Sequence, residues 1–372
     1  MKNVNEVKHP NIVFLGRPGS ETAELLRALD RLLGTGAMSC LNAEAALSCS
    51  RVHRLTFVAG GNRRSVVVKR FSGGSSVVER LATTRWLPAA GLSAVVPRLL
   101  AAAPAGSGNQ MWHVYEDLGD ATLDREGAAS DRAPARDRGF LSPLARCPDP
   151  DRVAVVVRMI AEVHERFHEQ DALAECRMHS QELGGPFLAE NVSMAISALG
   201  SLEALNCDRT TEQSDVVSDL LGILAKLEAE VAWRCDQLER EGGGDTLLHG
   251  DLGVRNAFVP VAGHGTEGWL IDWDHAGVGP VSYDLSTFLM QLPEEARART
   301  LETYIQARGR RGGEWPGREV WNSMFESHEY ARLANCLIWP CREALDGDSE
   351  WAFGELGKIR QWMDQMEPVL PV

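Results

Sequence analysis

Residues 247–274 read LLHGDLGVRNAFVPVAGHGTEGWLIDWD, and their punctuation organises the whole chain. Residues 246–248 end an approach segment, His249-Gly250-Asp251 turn it, and residues 251–256 make a tight loop. Residues 257–261 are short and mostly apolar, the composition of a strand. Gly263, Gly265 and Gly268 bracket a turn, and residues 269–271 supply the return strand. A hairpin brings its chain back to where it began. Asp251, Asn256 and Asp272 therefore meet, although Asp272 lies far along the sequence.

That trio suits phosphoryl transfer. Mg²⁺ on a nucleotide takes hard oxygen ligands, one or two of them from protein; Asn256 offers an amide oxygen and Asp272 a carboxylate. Asp251 is then free to accept a hydrogen bond from an acceptor hydroxyl and align it for attack. The Asp251-to-Asn256 spacing is that of the kinase loop H-R-D-x-x-x-x-N, with Gly250 in place of Arg. HGDLGVRN followed by LIDWDHAGVGPVSYDLS resembles the aminoglycoside phosphotransferase family of small-molecule kinases, choline kinase relatives included. The resemblance covers roughly residues 45–295 and implies a two-lobed, protein-kinase-like α+β fold, with a small antiparallel β N-lobe and a larger, mainly helical C-lobe. It also implies ATP and Mg²⁺ as cofactors and a hydroxyl acceptor. Aminoglycosides are the default acceptor; macrolides, choline, homoserine and sugars are the alternatives.

Bulk properties are compatible. The chain has 372 residues, 44% of them apolar, and a net charge of −14. No run of about 18 apolar residues could span a membrane, and the first residues lack a signal peptide's apolar stretch. Eight scattered cysteines without a CxxC pair point to reduced thiols in a cytoplasm. The acidic balance disfavours nucleic acid as a partner and would favour a cationic substrate.

The segmentation expected is an extension over 1–40, a nucleotide-binding lobe over 41–118 and the helical lobe over 119–372. Residues 11–26 look like a strand, a Gly-rich turn and a helix, but Gly16–Thr22 lacks the Lys of a phosphate-binding P-loop. An amphipathic helix over 23–33 is the reading kept. Residues 55–59 and 65–71 are strands joined by Gly60-Gly61-Asn62. Residues 47–54 form the turn over the phosphates, with Ser50 as phosphate contact. Lys69, one of five lysines, interrupts a buried-looking strand and is assigned to the α/β-phosphates. The 76–87 helix ends at Pro88 and should bring Glu79 to Lys69. Against the family pattern Glu79 stands one residue out of register, a rotation of about 100°, with Arg80 in the expected place. Residues 95–102 and 111–115 are further strands of an about five-stranded sheet.

Residues 115–119, YEDLG, resemble the family's hinge, where the resemblance implies that adenine binds the Glu116 carbonyl and the Leu118 amide. Residues 120–151 form a long loop. Beyond them the chain is helical from 152 onward, with helices expected over 153–170, within 183–238 and notably over 216–238, and over 285–290, 296–308, 320–337 and 351–366. His164 and His168 match the zinc-protease motif HExxH and would share a helix face, but a third ligand is unspecified. The resemblance makes His164 structural. His249 should orient the loop and Asp284 should receive backbone amides. Glu326, Glu329, Glu343 and Asp346 could line a pocket for a cation. The reading is a small-molecule kinase; a nucleotide-binding pseudokinase or scaffold and a zinc peptidase are its rivals.

Overall fold

The computed structural model describes residues 20–33, 42–46, 51–59, 62–106, 109–123, 148–204, 209–260, 267–309, 315–346 and 349–371. Ser50, Gly60-Gly61, residues 16–19, the turn at Gly263 and Gly265, and most of the 120–151 segment lie outside them.

The N-terminal part is a five-stranded antiparallel sheet of order β1-β2-β3-β5-β4. Its strands are β1 (Asn42–Ala46), β2 (Val52–Ala59), β3 (Asn62–Ser72), β4 (Leu99–Pro104) and β5 (Gln110–Glu116). Period-two alternation divides the side chains between two faces. Leu55, Phe57, Val66, Val68, Trp112 and Val114 form one buried face. Over it lies the helix α1 (Ser20–Leu33), which contributes Leu25 and Leu29, both fully buried. Val67, Lys69 and Phe71 point to the other face, toward the rest of the molecule. Because Leu29 has no water-exposed surface to lose, Leu29→Ala should leave a cavity and cost about 2–4 kcal/mol. Urea unfolding would measure it, and a loss under about 1 kcal/mol would show that α1 adds little to the sheet.

The helix after β3 departs from expectation. It starts earlier, as α2 (Gly73–Leu81), widens into a π turn over Ala82–Trp86, and finishes as α3 (Leu87–Ala89). Pro88 sits inside this last turn rather than after it. In the widened turn the Leu87 amide reaches the Ala82 carbonyl, five residues back, and the first residues of the following turn need no amide partner, so a proline fits. The β4 strand begins at Leu99 rather than 95, because Ser93–Val95 form a 3-10 turn and Pro97 follows. The expected turn at 47–54 also runs too long, since Val52 and Arg54 already pair with Lys69 and Val67 in the sheet.

The C-terminal part is helical around two cores. The first gathers α4 (Pro150–Phe167), α5 (Ala172–His179), α8 (Ser282–Met290), α9 (Glu294–Arg308), Trp321, Met324, Phe325 and the loop strands. The second is built by α6 (Gly185–Ala204), α7 (Thr211–Glu241), α10 (Arg318–Asp346) and α11 (Ser349–Asp364). The α10 helix continues through Pro340, past the expected end at 337. Among the described residues no helix is long and apolar enough to cross a membrane, and the four described cysteines are free.

Two short sheets position the loop. The strand β7 (Asp245–Leu248) pairs antiparallel with β10 (Gly277–Pro280), and β10 pairs in parallel with β6 (Gln181–Glu182). The hairpin is β8 (Ala257–Phe258) against β9 (Trp269–Leu270).

Candidate active site

Asp284, the third residue of α8, anchors the loop that begins at His249. It is fully buried. Its Oδ2 accepts from the His249 amide at 2.7 Å and its Oδ1 from the Gly250 amide at 2.9 Å. Burial works against its charge, but hydrogen bonds from His164 and from those amides outweigh it and hold the carboxyl below the usual range. Its role as receiver of backbone amides is therefore visible in the geometry. His249 completes the brace: its Nε2 donates to the Ile271 carbonyl at 2.9 Å, its Nδ1 accepts from the Asp251 amide at 3.3 Å, and its ring packs on Trp273. Gly250 has φ +82°, and a Cβ there would lie 1.8 Å from the His275 carbonyl oxygen. A larger residue in place of this Gly has no room.

The brace presents the predicted trio. The Asn256 amide nitrogen donates to the Asp251 carbonyl at 2.9 Å and to Asp251 Oδ2 at 3.1 Å. With that nitrogen spent, the amide oxygen remains for a cation. Burial raises the Asp251 carboxyl above its ordinary value. Asp272 follows β9 with φ 72° and ψ 53°, a left-handed conformation that Asp tolerates better than most residues. The turn swings its carboxylate onto the Lys69 ammonium. Burial opposes Asp272's charge, yet Lys69 prevails and holds its pKa low.

A cavity of about 620 Å³ runs between the two lobes. Lys69, Glu79, Glu116, Leu118, Asn256 and Asp272 all line it. Val52 and Val67 wall it on the sheet side, Phe258 and Ile271 on the other. Asp251 stands beside it through Asn256. Glu79 thus faces the cavity, and Arg80 is exposed. The expected direct pair is not formed, however: Glu79 Oε1 accepts from the Tyr115 hydroxyl at 2.7 Å, while Lys69 reaches Asp272.

Burial pushes the Glu79 carboxyl up from 4.5 to about 7. Across that window the unfolded chain sheds the proton and the folded protein keeps it, so stability falls as pH rises, by roughly 3 kcal/mol in all. Thermal melts should show Glu79→Gln gaining on the wild type as pH climbs through the window. A difference that stays flat would mean that Glu79 is ionised in the folded protein throughout.

Three features escaped the sequence. Asp274, raised by burial and by its neighbour Asp272, shares a hydrogen bond with Asp272; the D-x-D spacing was the available signal. Tyr115 as the partner of Glu79 had none. Arg54 reaches the hinge segment at Asp117, Gly119 and Asp120, where it had been assigned to the phosphate turn.

Two expectations are corrected. The α4 helix ends at Phe167 with His168 as its C-cap, and among the described residues no group of three potential metal ligands forms around His164 and His168. Both His164 ring nitrogens are engaged, at 2.8 Å from the Tyr304 hydroxyl and 3.2 Å from Asp284 Oδ2, and burial keeps its pKa low. The four acids of α10 do not meet either. Glu326 and Glu329 border a small cavity of about 140 Å³ with Glu367, but Glu343 and Asp346 lie roughly 20–30 Å further along the helix at 1.5 Å per residue.

A β lobe and a helical lobe closing on Lys69, Asn256 and Asp272 define a kinase-like phosphotransferase. The sequence profile of the phosphotransferase enzyme family matches residues 50–321, and the chain belongs to that family. It is an enzyme that moves a phosphoryl group to a hydroxyl acceptor. Solved structures with this fold include an AMP-bound spectinomycin phosphotransferase (10% identity, 92% of this chain and 98% of that one, TM-score 0.53). A Plasmodium vivax ethanolamine kinase is also similar (11% identity, 92% and 86%, TM-score 0.56), as is a macrolide 2'-phosphotransferase from Brachybacterium faecium (15%, 92% and 99%, TM-score 0.50). No curated protein sequence matches the chain.

Proposed function

We propose that this enzyme transfers the γ-phosphoryl group of ATP, with Mg²⁺, to a hydroxyl of a small molecule, and that an aminoglycoside-type antibiotic is the acceptor. The supporting observation is the collection of Lys69, Asn256 and Asp272 in one cavity with Asp251 hydrogen-bonded beside them. Lys69 binds the α/β-phosphates, Glu79 lines the same cavity, held by Tyr115, and the hinge backbone at Glu116 and Leu118 takes the adenine. Ser50 contributes at the phosphates. The Asn256 amide oxygen and the Asp272 carboxylate fit Mg²⁺, both being hard donors with no proton to lose. That ion supplies neutralisation of charge on the phosphates. Asp251 orients the acceptor hydroxyl and accepts its proton, and its raised pKa strengthens it as a base.

The acidic balance of the chain favours a cationic acceptor. The acceptors named with the structural neighbours are diverse, so the test is a phosphotransfer screen with ATP against aminoglycosides, macrolides, amino alcohols and sugars. Phosphorylation of an aminoglycoside supports the full reading. A different acceptor replaces only the substrate class. Nucleotide binding without turnover on any acceptor indicates a pseudokinase. Lys69→Ala should weaken nucleotide binding and turnover by about tenfold or more, through loss of a charge-assisted contact; unchanged values for both would make Lys69 a bystander.

A further inference from the structure

The hinge is held from a side that the catalytic residues do not touch. Arg54 lies on the cavity face of β2, two residues beyond Val52, and is 14% exposed. Its Nη2 donates to Asp117 Oδ1 at 3.1 Å and to the Gly119 carbonyl at 2.8 Å; its Nη1 donates to Asp120 Oδ1 at 2.9 Å. Its Nε lies 2.8 Å from Asp117 Oδ2. Asp117 in turn accepts from the Gly119 amide at 2.9 Å and from Ser65 on β3. Two roof strands and the hinge therefore converge on one carboxylate that is 8% exposed. On the other side the hinge is fixed by the pairing of Glu116 with Val66 and by the Arg98 amide donating to Glu116 Oε1 at 2.8 Å.

We propose that Arg54 is a positioning residue for nucleotide binding, clasping the roof strand to the hinge so that the slot for the base keeps a fixed width and a closed outer end. A planar guanidinium with several donors suits this better than an ammonium, because it can hold two carboxylates and a carbonyl at once. The pair is largely shielded from water, where its attraction exceeds that of surface pairs. The hydrogen bonds and ion pairs of Arg54 go to Asp117, Gly119 and Asp120 and to none of Lys69, Asp251, Asn256 and Asp272, so its effect belongs to the base end and not to the phosphate end. The inference rests on reading this cavity as the nucleotide site.

Steady-state kinetics of Arg54→Ala test it, with adenosine and tripolyphosphate as competing probes of the two ends. The ATP KM should rise about tenfold, adenosine inhibition should weaken by the same factor, and kcat and tripolyphosphate inhibition should stay within about twofold. Arg54→Lys should fall between. The double variant Arg54→Met with Asp117→Asn leaves no buried unpaired charge, so it keeps the test valid if the alanine variant unfolds; it should show the same split. Unchanged ATP KM and adenosine inhibition overturn the inference while the nucleotide reading stands. Equal weakening of tripolyphosphate overturns it as well. A wild-type protein that binds no adenine nucleotide overturns both.

Discussion

Asp251→Asn should lower kcat by about 10²-fold or more while nucleotide affinity stays near wild type. General-base assistance is typically worth that much, and the substitution keeps the shape and the neighbouring Asn256 contact while removing the charge that accepts the proton. Asp272→Asn should lose turnover by another route. Its carboxylate is engaged by Lys69 and is one of the two oxygen donors proposed for Mg²⁺, so nucleotide affinity should fall specifically when Mg²⁺ is present. Titrating nucleotide into both variants with and without the ion, beside turnover, separates the two acids. Identical profiles would remove the division of roles, and near-normal turnover in Asp251→Asn with a good acceptor would remove the mechanism.

Gly250→Ala should be comparably severe. The left-handed backbone alone costs an L-residue roughly 1–2 kcal/mol. The added methyl also meets main chain, the His275 carbonyl oxygen, which no rotamer change can move aside. Relief requires shifting either the 249–251 turn, away from Asp284, or the turn that follows Asp272. A displacement of about 1 Å at reacting groups can cost 10²-fold. The variant should therefore lose activity well beyond its loss of stability, measured by comparing turnover with the melting temperature. Retained activity would show that the turn has slack.

The parts of the site that were legible in the sequence are those written locally. Asp251 and Asn256 sit in one loop, and the glycines and short apolar runs beyond it announce a hairpin that returns Asp272. Lys69 was legible because a charge in VVVKRF contradicts its surroundings. The same local logic failed where a distant group decides. Glu79 is held by Tyr115, and Arg54 by Asp117 and Asp120, more than sixty residues away. The i, i+4 spacing of His164 and His168 said nothing of Tyr304 and Asp284, which occupy both ring nitrogens of His164. The π turn at Ala82–Trp86 let a helix pass a proline that single-residue rules treat as a stop.

The two separate cores of the helical part bear on how such an enzyme can change. The loop carrying Asp251 belongs to the first core, whereas α6, α11, most of α7 and the later turns of α10 pack together in the second; α10 also enters the first core through Trp321, Met324 and Phe325. Energies of substitutions at sites more than about 7–10 Å apart, with no shared partner, usually add. Replacements in α6, α11 and the far end of α10 should therefore alter the contour of the helical lobe without retuning the chemistry, whereas His328 and Arg332 of α10 bond to α8 on either side of Asp284. A lineage could drift from one small molecule to another by repacking those helices, each step tolerable by itself, with Asp284 meanwhile keeping the catalytic turn in register.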